Sequence, residues 1–328
     1  MKVSNTQRRT KSASCSNSTS LDETVIHWGS SSVTGAARTS PCLNQVLEEN
    51  VCANSSQLEY VILSDNQFIL ATVDRVWVYS RDSIYDRQFS TQLSNTNTIK
   101  DIRILQKLLD TAIVLGKRAA SLKQKPPTVS LPIWIWSLIS QYHLTHPTPK
   151  LMREAAKRFD FKGQEFLAEW AEQKAFEETG HDRLALQDIR SLGYRAEAVV
   201  NAFMPPSAKL LVDYFVNCAQ ASDPIGVLGY SYTLERIALA VEKKHIQVIK
   251  ATLPSGVDAT RCLRVHSSLG SDVEHVEETL KTVAKLTQDE RNQIALTCYE
   301  TAKLYFSSHY NDFPSTTELQ HKLQSFKD

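Results

Sequence analysis

The stretch KAFEETGHDRLALQDIRSLGY, residues 174 to 194, sets Glu178 three positions before His181. On a helix that spacing puts a carboxylate and an imidazole on one face. The pair reads either as a salt-bridged surface or as half of a metal site, and spacing alone leaves both open. Two other segments offer related chemistry. In GYSYTLERIALAVEKKH, Glu235 stands among Tyr230, Leu234, Ile237, Ala238 and Ala240. A carboxylate near an apolar face needs a partner, because burying it bare is costly. Its neighbour Arg236 points about 100° away round the helix. In GSDVEHVEE, Asp272 and His275 repeat the three-residue step. Glu with His, Glu alone, and Asp with His, on separate helices of one bundle, form the ligand chemistry of a carboxylate-bridged iron or manganese pair. Glu235, with no histidine one turn away, is expected to bridge or flank both ions.

The elements that must position these residues follow from hydrophobic period and punctuation. From Leu131 onward the chain reads as helix after helix. IWIWSLISQYHLTH is one segment, and TPKLMREAAKRFD starts on a Thr-Pro pair suited to a helix start. KGQEFLAEWAEQKAFEETGHDRLALQDIRSLGY reads as a single long helix closed by Gly193. Four further helical segments follow, from PPSAKLLVDYFVNCAQAS to TQDERNQIALTCYETAKLYFSSHY, with short Pro-, Gly- and Ser-bearing loops. Seven or eight helices around one core, with almost no strand signal, predict a mainly α bundle over residues 126–328.

Residues 57–125 differ. LEYVILSDNQFILATVDRVWVYSRDSI has β-branched and aromatic runs broken by SDNQ and TVD, which predicts two or three short strands. A helix follows, with Thr98 as its expected N-cap, before the KQKPPTVSLP linker. This is a small N-terminal α+β region. Ahead of it, 16 of the first 40 residues are Ser or Thr and no acid precedes Asp22. Residues 1–56 therefore read as a disordered tail, unable to bury enough apolar area to offset the entropy of ordering.

Composition narrows the function classes. A net charge of +1 gives no footprint for nucleic acid or an anionic membrane. The longest apolar run, LPIWIWSLI, falls far short of the roughly 20 residues that span a bilayer. Six cysteines, at 15, 42, 52, 218, 262 and 298, form no CxxC and no disulfide spacing, which fits a reducing, cytoplasmic setting.

Taken together, EETGHDRLALQDIRSLG, LGYSYTLERIAL and RVHSSLGSDVEHVEETL resemble, in this order, the heme-oxygenase-like diiron oxidases and oxygenases. The wider superfamily includes thiaminase-type proteins and pyrroloquinoline-quinone synthases. The resemblance spans about residues 128–310. It implies a heme-oxygenase-like helical bundle, with Glu178, His181, Glu235, Asp272 and His275 as iron ligands. It also implies two Fe(II) ions, with manganese as the alternative metal. The chemistry implied is reduction of O2 coupled to oxidation of a small organic substrate. Two positions depart from the family pattern. Ser268 stands four before Asp272, where a histidine is frequent, and the nearest histidine, His266, would lie about 120° from Asp272 on a straight helix. His266 is therefore expected outside the ligand set. The first core helix has no carboxylate but offers Gln141 and His143, and His143 reads either as a substitute ligand or as a core or surface histidine. These departures leave open one iron or two, the second held loosely.

Tyr142, Trp170, Tyr230 and Tyr232 are candidate pocket residues, or plain aromatic core. Arg261 and Arg264 could clamp a substrate carboxylate, or decorate a solvated helix start. Two other function classes compete. One is a cofactor-free, thiaminase-like enzyme, which would need Cys218 or Cys262 as nucleophile; the other is a non-catalytic helical binding protein. The expected partners are a small-molecule substrate and O2, with no nucleic acid and no membrane. The N-terminal strands could serve a partner, a lid or a homodimer.

Overall fold

The computed structural model describes residues 58–63, 67–80, 101–120, 128–241, 243–267, 272–311 and 314–328. The tail expected over residues 1–56 and the expected cap Thr98 lie outside the described residues.

Three strands, β1 (Glu59–Ile62), β2 (Gln67–Ala71) and β3 (Val76–Ser80), form an antiparallel meander in the order β1-β2-β3. Alternation explains how the sheet is covered on both faces. Val61, Ile69 and Ala71 point into the main helical core, while Phe68, Leu70, Trp77 and Tyr79 make a small cluster on the other side. Phe68 stacks on Tyr79 at 5.2 Å between ring centroids.

Helix α1 (Ile102–Ala119) begins at Asp101, whose carboxylate accepts the Arg103 backbone N–H and so supplies the N-cap. Its buried stripe Ile104, Leu105, Leu108, Leu109, Ala112 and Ile113 follows the helical period. Each such side chain contributes about 1.5–3 kcal/mol on burial. The stripe shares one core with β1, β2 and the bundle.

The bundle consists of α2 (Leu131–Thr145), α3 (Thr148–Phe161), α4 (Glu165–Glu177), α5 (His181–Ser191), α6 (Ala196–Ala202), α7 (Pro206–Gln220) and α8 (Gly226–Leu239). It continues with α9 (Lys243–Lys250), α10 (Arg261–Val265), α11 (Asp272–Val283), α12 (Gln288–Asn311) and α13 (Thr316–Gln324). Helix α12 opens with a capping box. Glu290 Oε2 accepts the Thr287 backbone N–H at 2.7 Å, and Thr287 Oγ1 accepts that of Glu290 at 3.3 Å. Two glycines let α12 close in. A Cβ at Gly116 would stand 2.1 Å from the Tyr299 carbonyl, and one at Gly229 would stand 2.6 Å from that of Ile294.

The segment expected as one long helix from residue 163 to 193 is two. Helix α4 ends at Glu177, Glu178 is its C-cap, and Gly180 takes φ +95° before α5 starts at His181. Thr179 turns its hydroxyl back to the Ala175 carbonyl, and the left-handed glycine then redirects the chain. The segment expected as one helix from Gly229 to Pro254 is likewise split, into α8 and α9.

Candidate metal centre

The break between α4 and α5 brings Glu178 and His181 together by a different route from a shared helix face. His181 Nδ1 lies 2.9 Å from Glu178 Oε2. The His181 ring also meets the His266 ring edge-on, with centroids 4.8 Å apart. His266 caps the five-residue helix α10 and is not part of α11, so the straight-helix register that set it aside does not apply. One ligand atom each from Glu178, His181 and His266 fall within 4.8 Å of one another.

A second group of the same kind comprises Glu178, Glu235 and His275. Glu235 enters from α8 and is buried, as its place in an apolar run of the sequence requires. His275, one turn into α11, is buried too, and its Nε2 lies 3.2 Å from Glu177 Oε2. Glu178, rather than Glu235, is the carboxylate common to both groups. The Asp272 side chain lies outside what the structure describes.

Two residues that sequence reasoning passed over complete the cluster. Glu177 is one. The other is Lys174, only 1% exposed, whose Nζ lies 3.1 Å from Glu235 Oε1 and 3.5 Å from Glu177 Oε2. A signal for it existed. Leu167, Trp170, Ala171, Lys174 and Ala175 are the buried residues of α4, so the lysine falls in register with the apolar stripe.

Electrostatics favour an ionised Glu178. Burial alone would raise its carboxyl. The His181 hydrogen bond and the nearby His266 and Lys174 outweigh that and hold it below its ordinary value. A compact set of carboxylate oxygens and imidazole nitrogens suits iron or manganese. Buried ionisable groups gathered this closely fit a cation, which would replace mutual repulsion with coordination.

The cluster adjoins a cavity of about 360 Å³, lined by Lys174, Glu178, Glu235 and His266 together with mainly apolar side chains from α2, α7, α8 and α9. Four hydroxyls on that wall are already engaged. Ser137, Ser140, Thr145 and Thr148 each donate to the carbonyl four residues back, at 2.9–3.2 Å.

Tyr230 lines the cavity, stacked on Phe215 at 4.2 Å. Its buried hydroxyl makes no hydrogen bond to any described residue, and burial raises its pKa, so it remains a donor.

Other candidates lie elsewhere. His143 is not at the centre: its Nε2 lies 2.7 Å from the Phe203 carbonyl, and burial lowers its pKa, which fits a neutral core histidine. Tyr142 stacks on His146, and Trp170 is buried in the main core. Tyr232 donates to Asp110 Oδ1 at 2.8 Å. Arg261 is held by Asp188, and Arg264 by Asp258, so neither is aimed at the cavity. Among the described residues no cysteine lines the cavity, and burial pushes the Cys218 thiol up to about 11.

Comparison with known proteins agrees with this chemistry. Over residues 135–306 the chain matches a family described as iron-containing redox enzyme. A domain of unknown function with a heme oxygenase-like fold from Shewanella denitrificans OS217 is similar at a TM-score of 0.50 and 19% identity. That alignment covers 68% of this chain and 91% of the other. A TenA homolog from Pseudomonas syringae pv. tomato str. DC3000 aligns at a TM-score of 0.48 and 12% identity, covering 66% of this chain and 98% of that one. No curated protein matches the chain. The likeness to the Shewanella domain shows a heme-oxygenase-like fold. No helix among the described residues is long and apolar enough to cross a membrane.

Proposed function

The chain belongs to the iron-containing redox enzymes, and from that footing we propose that it is an O2-activating oxidase or oxygenase with a two-position, non-heme iron centre. The observation that carries the proposal is Glu178, shared by two three-residue ligand groups and lining, with Glu235 and His266, a mainly apolar cavity. Glu178, His181 and His266 would hold one ion; Glu178, Glu235 and His275 would hold the other. Bound iron supplies the electrons and the open coordination for O2 that no side chain here can provide.

The chain's own residues do the rest. Glu177 Oε2 lies 3.2 Å from His275 Nε2, within ion-pair reach, and so helps hold the ring in place beside the centre. The apolar wall, its hydroxyl protons tied to α2 carbonyls, excludes water and favours a substrate that is largely hydrocarbon. The fitting substrate is a small, mostly apolar molecule.

Anaerobic reconstitution with ferrous iron, followed by metal analysis and O2 uptake, tests the reading. The wild-type chain is expected to bind iron and consume O2. Glu178→Ala is expected to lose iron from both positions and to stop O2 uptake while keeping its helical circular dichroism. A wild-type chain that takes up no iron, or a Glu178→Ala variant that binds as well as wild type, overturns it.

A further inference from the structure

We propose that Lys174 is a built-in cation of the centre, occupying the charge position of the second metal ion and making the two positions load in order. The inference rests on the metal reading above and concerns only how the chain populates it.

A fully buried lysine is costly unless acids surround it. Here they do, and one of them belongs to the second ligand group. Lys174 Nζ sits 3.1 Å from Glu235 Oε1, which belongs to that group, and 3.5 Å from Glu177 Oε2. The same Glu177 oxygen is 3.2 Å from His275 Nε2, the other flank of the group. The lysine therefore stands between Glu235, a ligand of the second group, and Glu177, which flanks that group's histidine. Glu178 pairs instead with His181 at 2.9 Å, and among the described residues no lysine or arginine stands within ion-pair distance of it, Lys174 acting on it only from farther off.

Three carboxylates, from Glu177, Glu178 and Glu235, converge here, and Lys174 balances one charge before any metal arrives. The first ion then enters the Glu178, His181 and His266 position without displacing a cation. The second must push Lys174 off Glu235 or sit beside a like charge, and juxtaposed like charges weaken binding well beyond tenfold. The consequence is unequal affinity, with the Glu235 and His275 position filling last.

The test is a Mn(II) titration of the full chain, followed by the electron paramagnetic resonance of free Mn(II) and by calorimetry. Wild type should show one tight and one weak ion. Lys174→Met, an unbranched apolar chain of similar length, should tighten the weak ion about tenfold or more. Lys174→Arg, which keeps the charge, should behave as wild type. If Lys174→Met does not fold, Lys174→Gln, a neutral donor to Glu235, serves in its place. Two equal ions in wild type, or a neutral variant with an unchanged second ion, overturns the proposal. His181→Ala separates the two readings. If it loses the tight ion while the neutral variants match wild type, only the lysine proposal falls. If no variant and no wild-type chain binds Mn(II) or Fe(II), both fall.

Discussion

His181 Nδ1 stands 2.9 Å from Glu178 Oε2 although the two residues belong to different helices, one capping α4 and the other opening α5. The centre is thus assembled at a joint. Its remaining ligands come from α8, from the end of α10 and from α11, so any change in how those pieces meet is felt at the metal.

His266 is the sharpest test of that geometry. A continuous helix would carry it away from Asp272, and His266→Ala would then leave binding nearly intact. With its ring 4.8 Å from that of His181, its removal is expected to weaken the first ion by at least the ~10–100-fold that loss of an outer partner of a metal ligand costs. An Fe(II) or Mn(II) titration in which His266→Ala matches wild type would restore the out-of-phase reading.

Stability can be probed away from the metal at Asp110. It receives Arg236 through both carboxylate oxygens, at 2.8 and 2.6 Å, and the Tyr232 hydroxyl at 2.8 Å, tying α1 to α8. Asp110→Ala would strip a largely buried guanidinium of its carboxylate and should cost about 3–5 kcal/mol. Urea denaturation measures this. A loss below about 1 kcal/mol would mean that water compensates Arg236.

Close packing supplies a third test. A methyl at Gly116 would collide with the Tyr299 carbonyl on α12. Gly116→Ala is therefore expected to lower stability by about 1–3 kcal/mol through overpacking, despite the better helix propensity of alanine. An unchanged or raised melting temperature would show that α1 and α12 separate at no cost.

The helical bundle and the short strands were legible because each rests on local periodicity, and the family resemblance because its motifs stand in order along the chain. Val61 with Ile69, and Leu105 with Leu108, declare their faces within a few residues of chain. The acids and histidines were legible one helix at a time, since Glu178, Glu235 and His275 each stand out against their neighbours. What linear reading lost was non-local. His266 was set aside by assuming one helix where the chain builds two. Lys174 was passed over, although its register with Trp170 and Ala171 marks a buried face. Only α8 and α11, arriving from far along the chain, supply the acids and the histidine that explain it. His143 shows the opposite error: its residue type fits a ligand, but the Phe203 carbonyl already claims its ring.

Gly180 has the final consequence. A Cβ built there would meet nothing within 4 Å, so no neighbour demands a small residue. The demand is torsional alone, from φ +95°, where L side chains are strained. The proposed centre therefore depends on a residue that could bind no metal, touch no substrate and carry no proton. A search for functional positions by chemical type would pass over it, yet the register between Glu178 and His181 hangs on that one backbone angle.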